Sequence, residues 1–374
     1  MSYIFNKKNN KDDKQKKSMN IVILSAAPTS KSTKSIIRAG EKRGHNMTVL
    51  NPAYLYLLIS ESESGYDRIY DGYDKKEKPV RIKAKNIDAV ISRIGTNLMY
   101  GTSVLHHFKY NLGIFTTQTP EGILTASDKL LSLQKISASK IKVPKTIIAD
   151  NGVHLDFMID KIGGLPAIAK MLQGSQGIGV IPLESKLQTN ATVQSFYKNK
   201  NKLLLQQYIE GGAKDIRAIV IDGKVIVAME RTAPENDIRA NISLGGSGRK
   251  IELTDKEKDI CIRASRACGL EVSGVDLMRD NYGNTFVIET NGNYGYKIED
   301  ITKVDISTPL IEYCENNYKN SNSTTKALKE AIENTQNVIN AMKKEKENNK
   351  IVAYWEIEYM HKLKQMENHL LNNY

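Results

Sequence analysis

Apolar and polar positions along the chain change period in a readable order. "NIVILS" (20–25) is a short buried run that predicts a strand, and Ile36, Ile37 and Ala39 then share one face of an amphipathic helix. "MTVLNP" and "IDAVISRIG" (87–95) predict two more strands, so 19–112 reads as a small α/β layer domain. Over 127–139, "SDKLLSLQKISAS" turns to helical spacing, with Ser127 as the expected cap before Leu130, Leu131 and Leu133. "VPKTIIAD" is extended, and "PAIAKML", "VIPLE" and "LLLQQYI" (203–209) predict three further strands.

The clearest local pattern is "DIRAIVIDGKVIVAMER" (215–231), where Asp222-Gly223 is a type I′ turn signal between two alternating strands. Alternation puts Arg217, Ile219 and Ile221 on one face of the first strand, and Val225, Val227, Met229 and Arg231 on one face of the second. A helix is expected over 254–268, capped by Thr254, followed by a hairpin of "GVDLMRD", the turn "NYGN" and "TFVIETN". Beyond residue 319, "NSNSTT" reads as a linker. Leu328, Ile332, Thr335, Ile339 and Met342 then keep a 4-3-4-3 spacing, and Val352, Trp355, Tyr359, Leu363, Met366 and Leu370 resume it. That spacing predicts a helical hairpin or coiled-coil-like appendage.

Between two of the predicted strands lies "KMLQGSQGIGVI" (170–181), with three glycines in six residues. A Walker A loop needs its lysine at the end and a helix after it, whereas Lys170 precedes this loop. A dinucleotide loop opens a helix, whereas "VIPL" follows here. A flap between antiparallel strands, its free amides over a nucleotide's phosphates and Lys170 beside them, fits the pattern. A glycine-rich hairpin without any ligand is the alternative. On "TFVIETN", Glu289 and Asn291 are two apart and expected on the same side as Val287, with Asp276 of the preceding strand able to face them. Two carboxylates and an amide oxygen are hard ligands suited to Mg²⁺ bridging phosphates.

Composition narrows the classes. Of 374 residues 40% are apolar and 26% charged, as in ordinary globular proteins, and no apolar run approaches the roughly 20 residues of a membrane helix. The N-terminal stretch lacks the apolar core of a signal peptide, and three cysteines cannot build a disulfide framework, so a reducing cytoplasm is expected. Cys261 and Cys268, seven apart on a helix, read as core, and His106 and His107 as structural. Of the net charge of +12, residues 1–18 carry +4 in a basic arm expected to be disordered. The rest is spread without the Arg–aromatic interleaving of a nucleic-acid surface, a field that suits anionic ligands.

The stretches "SRIGT", "SDKL", "AIAKMLQGSQGIGVIPLE", "LLLQQYIEGGAKDIRAIVIDGKVIVAMER", "DIRANISLGG", "GVDLM" and "VIETNGN" follow one another over 19–318. In that order the chain resembles the RimK-like ATP-grasp carboxylate–amine ligases. The resemblance implies an α/β (α+β) ATP-grasp fold with an N-terminal Rossmann-like pre-ATP-grasp domain and a C-terminal helical extension. The implied division is 1–18 arm, 19–112 pre-ATP-grasp domain, 113–207 central lid subdomain, 208–319 C-terminal subdomain and 320–374 appendage. It assigns Lys129, Lys170 and the flap residues Gly174, Ser175, Gln176, Gly177 and Gly179 to ATP phosphates. Gln206, Gln207, Tyr208 and Ile209 become the hinge whose backbone reads adenine, with Asp215 and Arg217 lining the cleft. Asp276, Glu289 and Asn291 become the ligands of Mg²⁺ or Mn²⁺, and Arg231, Arg239 and Asn241 sit where an acyl phosphate forms.

Two segments depart from that family. After Glu-x-Asn the chain runs "GNYGYKIE" instead of Ala/Thr-Ser-Pro-Gly-Leu-Glu-Gly, and Leu244 stands where an arginine often precedes Gly245 and Gly246. Both border the acceptor side. The implied function is ATP-dependent addition of an amino acid, glutamate, to the C-terminal carboxylate of a protein or peptide. A peptide macrocyclase of the graspetide type, joining side-chain carboxylates to Lys, Ser or Thr, is the alternative. A non-catalytic nucleotide-binding module would have lost Lys170 or a metal ligand, and none is lost. The implied partners are ATP, an amino acid or other amine and a carboxylate acceptor, in a cytoplasmic dimer or tetramer, with no membrane or specific nucleic acid. The flap reading predicts that amide exchange at 173–179 slows on adding ATP and Mg²⁺; equal exchange with and without nucleotide makes the loop a plain hairpin. Truncation after Asn320 is expected to preserve ATP affinity while changing solution mass or acceptor modification; an unchanged mass with normal modification contradicts it.

Overall fold

The computed structural model describes residues 18–59, 69–73, 77–150, 154–172, 179–199, 202–211, 213–235, 240, 242 and 245–321, with isolated residues 332, 335, 336, 339, 360, 361 and 363–365 beyond. Residues 1–17 of the expected 1–18 arm, the flap tip (173–178), Arg239, Asn241 and most of the appendage lie outside the described residues. Of the appendage's apolar positions, Ile339 and Leu363 are described and buried.

The N-terminal layer is built as the apolar runs direct. It comprises β1 (Asn20–Ser25), α1 (Lys31–Lys42), β2 (Asn46–Leu50), β3 (Leu55–Leu57), β4 (Ile69–Asp71), β5 (Val80–Arg81), β6 (Ala89–Arg93), α2 (Leu98–His106) and β7 (Phe115–Thr116). A parallel sheet in the order β2-β1-β6-β7 carries it, and β3-β4-β5 form a small antiparallel sheet beside it. Ile21, Ile23 and Ile91 face one core, Val22, Leu24 and Val90 the other, as strands buried on both faces require. His107 is buried and His106 exposed against the Tyr110 ring.

Next come α3 (Pro120–Ser127), α4 (Lys129–Ala138), β8 (Thr146–Ile148), α5 (Leu155–Ile162), β9 (Ala167–Met171), β10 (Val180–Leu183), α6 (Lys186–Lys198) and β11 (Leu203–Gln207). The cap of α4 is Asp128, whose carboxylate accepts from the Leu130 and Leu131 amides, and not Ser127, which closes α3. Two helices meet where one was expected. An aspartate is as good a cap as a serine, so the one-residue slip left no trace in the apolar spacing. Strands β8 to β11 form an antiparallel sheet, order β10-β9-β11-β8.

The third layer holds β12 (Lys214–Ile221), β13 (Lys224–Thr232), β14 (Ser247–Ile251), α7 (Asp255–Ala267), β15 (Val272–Arg279), β16 (Thr285–Asn291), α8 (Lys297–Thr302) and α9 (Ser307–Asn317). Its antiparallel sheet runs β14-β13-β12-β15-β16, and both residues of the Asp222-Gly223 turn have positive φ, 51° and 66°, as type I′ requires. Cys261 and Cys268 are fully buried against it. Helix α9 is tied back to the first layer, where Arg43 grips Glu315 through two bonds of 2.7 Å and His45 Nε2 lies 2.9 Å from the same carboxylate.

Two bulges correct the expected strand faces. Ile219 pairs with Val227 but Val220 with Val225, so Ile226 is the extra residue. Val225 therefore packs with the α7 side, opposite Val227 and Met229. Likewise Asp276 pairs with Glu289 but Leu277 with Val287. Val287 is buried in the α7 core while Glu289 turns to the other face, so the two do not share a side. Period-2 reading fails at a bulge because one residue is left unpaired.

Thr254 and Glu257 close a capping box at the start of α7, and Glu257 also receives Arg279 at 2.7 and 2.9 Å. Burial alone would push the Glu257 carboxyl up, but the bonds from Arg279 and Thr254 outweigh it and hold it at about 2 against an ordinary 4.5. A depressed carboxyl contributes stability that is complete above its unfolded value and fades as pH falls toward its folded one. The urea midpoint of the protein is thus predicted to exceed that of Glu257→Gln at about pH 6, with the gap narrowing by about pH 3. A gap constant over that window contradicts the ion pair's role.

Candidate active site

Bulges of this kind re-aim a side chain next to a functional site, and here one gathers charge onto a single sheet face. Arg217 is the direct cross-strand partner of Asp276, and Asp215 of Arg231. Arg217 donates Nε and Nη2 to Asp276 at 2.7 and 2.6 Å. Arg231 donates the same pair to Asp215 at 2.5 and 2.6 Å, and its Nη2 also reaches Asp276 at 3.0 Å. The result is an alternating chain, Arg217–Asp276–Arg231–Asp215. Asp276 and Arg231 are buried, so each charge depends on its neighbours for the solvation that it has lost.

Titration follows from that order. Burial works against the Asp276 carboxylate, yet Arg217 and Arg231 more than compensate and hold it far below the usual range. Burial likewise works against the Arg231 charge, and Asp276 and Asp215 overcome it, fixing the guanidinium in its protonated form. Asp215 accepts bonds from one arginine where Asp276 accepts from two, and burial, together with the Asp276 charge, pushes its carboxyl up despite Arg231 and Arg217.

Glu289, opposite Asp276, accepts from Asn291 Nδ2 at 3.1 Å. Among the described residues Asp276 Oδ1 accepts only from Arg217 Nε, whereas Oδ2 serves both guanidinium groups, so Oδ1 keeps a lone pair toward them. With the Glu289 carboxylate and the Asn291 amide oxygen, this makes a hard-oxygen set that fits Mg²⁺. Among the described residues no three His, Cys, Asp or Glu converge as a metal site, so these donors would be completed by ligand oxygens and water.

Lys170 stands on the opposing sheet. Ala167, Ala169 and Met171 turn into the core of that layer, which leaves Lys170 on the other face, where its Nζ donates to Gln206 Oε1 at 2.7 Å. Gln206 Nε2 in turn donates to Thr146 Oγ1 at 2.9 Å. Burial pulls the Lys170 ammonium down, Glu289 and Asp276 push it back up, and Lys129 lowers it. Lys170 of the four-stranded sheet is therefore within electrostatic reach of Glu289 and Asp276 on the five-stranded one and of Lys129 on α4. Lys129 opens α4, and Gly179 closes the β9–β10 hairpin at φ 78° with its carbonyl on the Met171 amide. Gln207 spends its amide on Lys145, whereas Tyr208 and Ile209 make no hydrogen bond to another described residue.

A four-stranded antiparallel sheet that carries Lys170, a five-stranded one that carries Asp276 and Glu289, and a parallel α/β layer ahead of both in the chain are the parts of the ATP-grasp class. The family model of the RimK-like ATP-grasp domain matches residues 126–314, and that of the RimK pre-ATP-grasp domain matches 19–123. A probable alpha-L-glutamate ligase 2 of Shewanella sp. (strain W3-18-1) is 36% identical over 312 residues, spanning 83% of this chain and 99% of its own. A solved structure of the ATP-grasp ligase PsnB, complexed with a phosphomimetic variant of its minimal precursor, Mg and ADP, superposes with a TM-score of 0.63. It is 20% identical and covers 80% of this chain and 99% of its own. The macrocyclase MdnC from Microcystis aeruginosa MRC, bound with its precursor peptide MdnA, gives 0.58 at 13% identity, covering 79% and 98%. The chain belongs to the RimK-like ATP-grasp family, as its motifs led one to expect, and that family comprises ADP-forming carbon–nitrogen ligases.

By sequence Asp215, Arg217, Arg231 and Asp276 fall into separate roles. In the structure they form one network, which only the register of β12, β13 and β15 brings together. Removing one member leaves buried charge uncompensated. Arg231→Met is predicted to lose about 3–5 kcal/mol of unfolding free energy in urea. A loss below about 1 kcal/mol, the scale of a surface ion pair, contradicts the network.

Proposed function

We propose that the protein is an ATP-dependent ligase that adds an amino acid, glutamate, to the C-terminal carboxylate of a protein or peptide through an acyl phosphate. The observation that carries this reading is the pairing of Asp276 with Glu289 on one sheet face, a hard-oxygen set, with Lys170 of the other sheet within its electrostatic reach. The glutamate assignment is supported by the name of the Shewanella relative.

The chemistry follows from the parts. A carboxylate is a poor electrophile, so the acceptor oxygen attacks the γ-phosphorus of ATP and expels ADP. Lys170 and Lys129 disperse the phosphoryl charge in flight. Magnesium, held by Asp276, Glu289 and Asn291, would supply further charge neutralisation on the phosphate oxygens. The amine then attacks the acyl carbon, and phosphate leaves. Arg231, locked in its orientation by two carboxylates, steadies the oxyanion at no cost in reorganisation; Arg239 and Asn241 belong to the same step. The amides of Tyr208 and Ile209, which no other described residue accepts, suit the adenine edge. No serine, cysteine or histidine nucleophile is needed, and none lies on this face among the residues described above.

Lys170→Met and Glu289→Gln are predicted to abolish ADP release while circular dichroism shows an intact fold. The first removes a phosphate counter-charge and the second a cation ligand; near-normal turnover by either well-folded variant overturns the cleft. Mass spectrometry of a peptide ending in a free carboxylate, incubated with ATP, Mg²⁺ and L-glutamate, tests the reaction. A gain of one glutamyl residue is expected, and loss of water from the peptide instead supports macrocyclisation.

A further inference from the structure

The first layer holds an arginine that neither the nucleotide cleft nor the fold accounts for. In the sheet β2-β1-β6-β7 the chain leaves β1 toward β2 on one side and leaves β6 toward β7 on the other. The loops at the carboxyl ends of β1 and β6 therefore part, and such a switch point is where open α/β sheets bind ligands. Ser25 and Arg93 are the last residues of those strands and are register partners. Facing them is the departing run "GNYGYKIE", the direct continuation of β16.

The approach is close. A Cβ on Gly95 would stand 2.2 Å from Asn293 Nδ2. Arg93 Nη2 donates to the Tyr294 carbonyl at 2.8 Å, and its guanidinium lies 5.2 and 5.1 Å from the centroids of Tyr294 and Tyr296. The two rings are parallel within 6° and 6.0 Å apart. They hold a planar cation in one orientation.

That cation lacks a counter-charge. Arg43, Arg217, Arg231, Arg249, Arg263 and Arg279 each meet a carboxylate. No described carboxylate comes within ion-pair distance of half-buried Arg93, and its Nε is buried without a hydrogen bond, as is the hydroxyl of Tyr294. The Tyr294 carbonyl follows Asn291 by three residues, so it lies within about 10 Å of the expected reaction centre along the chain. An amino acid is short enough to reach from one to the other.

We propose that Arg93 binds a free carboxylate of the amine substrate, which makes that substrate an α-amino acid rather than a lysine, serine or threonine side chain of a peptide. The proposal rests on the ligase reading above and adds the second substrate's anchor. The phosphates have their own cations at Lys170 and Lys129, and the acceptor carboxylate must sit at the γ-phosphate. The carboxylate left for Arg93 is the one on the incoming amine.

ADP release is measured with ATP, Mg²⁺ and a peptide ending in a free carboxylate, using L-glutamate or L-glutaminamide, in which both carboxyl groups are blocked. The wild-type enzyme is expected to prefer glutamate. Arg93→Gln is expected to raise KM for glutamate about tenfold to a hundredfold and to erase that preference to the same extent, with KM for ATP unchanged. Arg93→Lys, which keeps charge but not the planar fork, is expected to fall between. Retention of the wild-type preference by Arg93→Gln overturns the proposal alone. An ATP KM that rises as much as the glutamate KM in both variants also overturns it, since Arg93 then holds the fold. Absence of any amino-acid-dependent ADP release by the wild-type enzyme removes the ligase reading and the proposal with it.

Discussion

Asp276 lies between two arginines in the interior of the molecule, and the arrangement of the cleft depends on that sharing. Buried charges are costly unless each is paired with good geometry, and here each is. Arg217 and Asp276 meet through two bonds, Arg231 bridges to Asp215 through two more, and a fifth joins Arg231 to Asp276. Of the Asp276 carboxylate, three acceptor sites are taken by the two arginines and one is left, on Oδ1. The network therefore does two things at once. It makes a polar sheet face stable, and it limits how a cation can be held there.

The same constraint explains why a bulge is needed in β16. Strict alternation would place Glu289 with Val287, in the apolar core against α7. One unpaired residue turns Glu289 and Asn291 back toward Asp276 while Val287 stays buried. Thr290, on the core side, reaches Cys268 Sγ at 3.1 Å and anchors the strand below its functional pair. A lysine on the facing sheet then completes the cleft, its position set by the apolar side chains of β9 that turn the other way.

Much of this was legible in the residues. Apolar runs and turn dipeptides located β1, β6, the β12–β13 hairpin and α7 with its Thr254 cap, and the family's motifs pointed to the cleft. Local signals failed where a competing residue was equally good, as Asp128 was to Ser127 at the start of α4. They failed also where the ladder gained a residue, at Ile226 and beside Glu289, because nothing in a β-branched run marks which member is left unpaired. The Arg217–Asp276–Arg231–Asp215 chain was illegible for a different reason. Its members are up to 61 positions apart, and only cross-strand register joins them. Arg93 and Tyr294, 201 positions apart, meet only when two layers pack.

In the proposed reaction a carboxylate is activated by phosphorylation beside Lys170, Asp276 and Glu289. This activation is tested most directly by labelling both oxygens of the acceptor carboxylate with ¹⁸O and following the label through one turnover. Attack of a carboxylate oxygen on the γ-phosphorus, followed by amine attack on the acyl carbon, must carry one ¹⁸O into inorganic phosphate and leave one in the new amide. That is the predicted result. Unlabelled phosphate, or ¹⁸O recovered in AMP, would contradict the account.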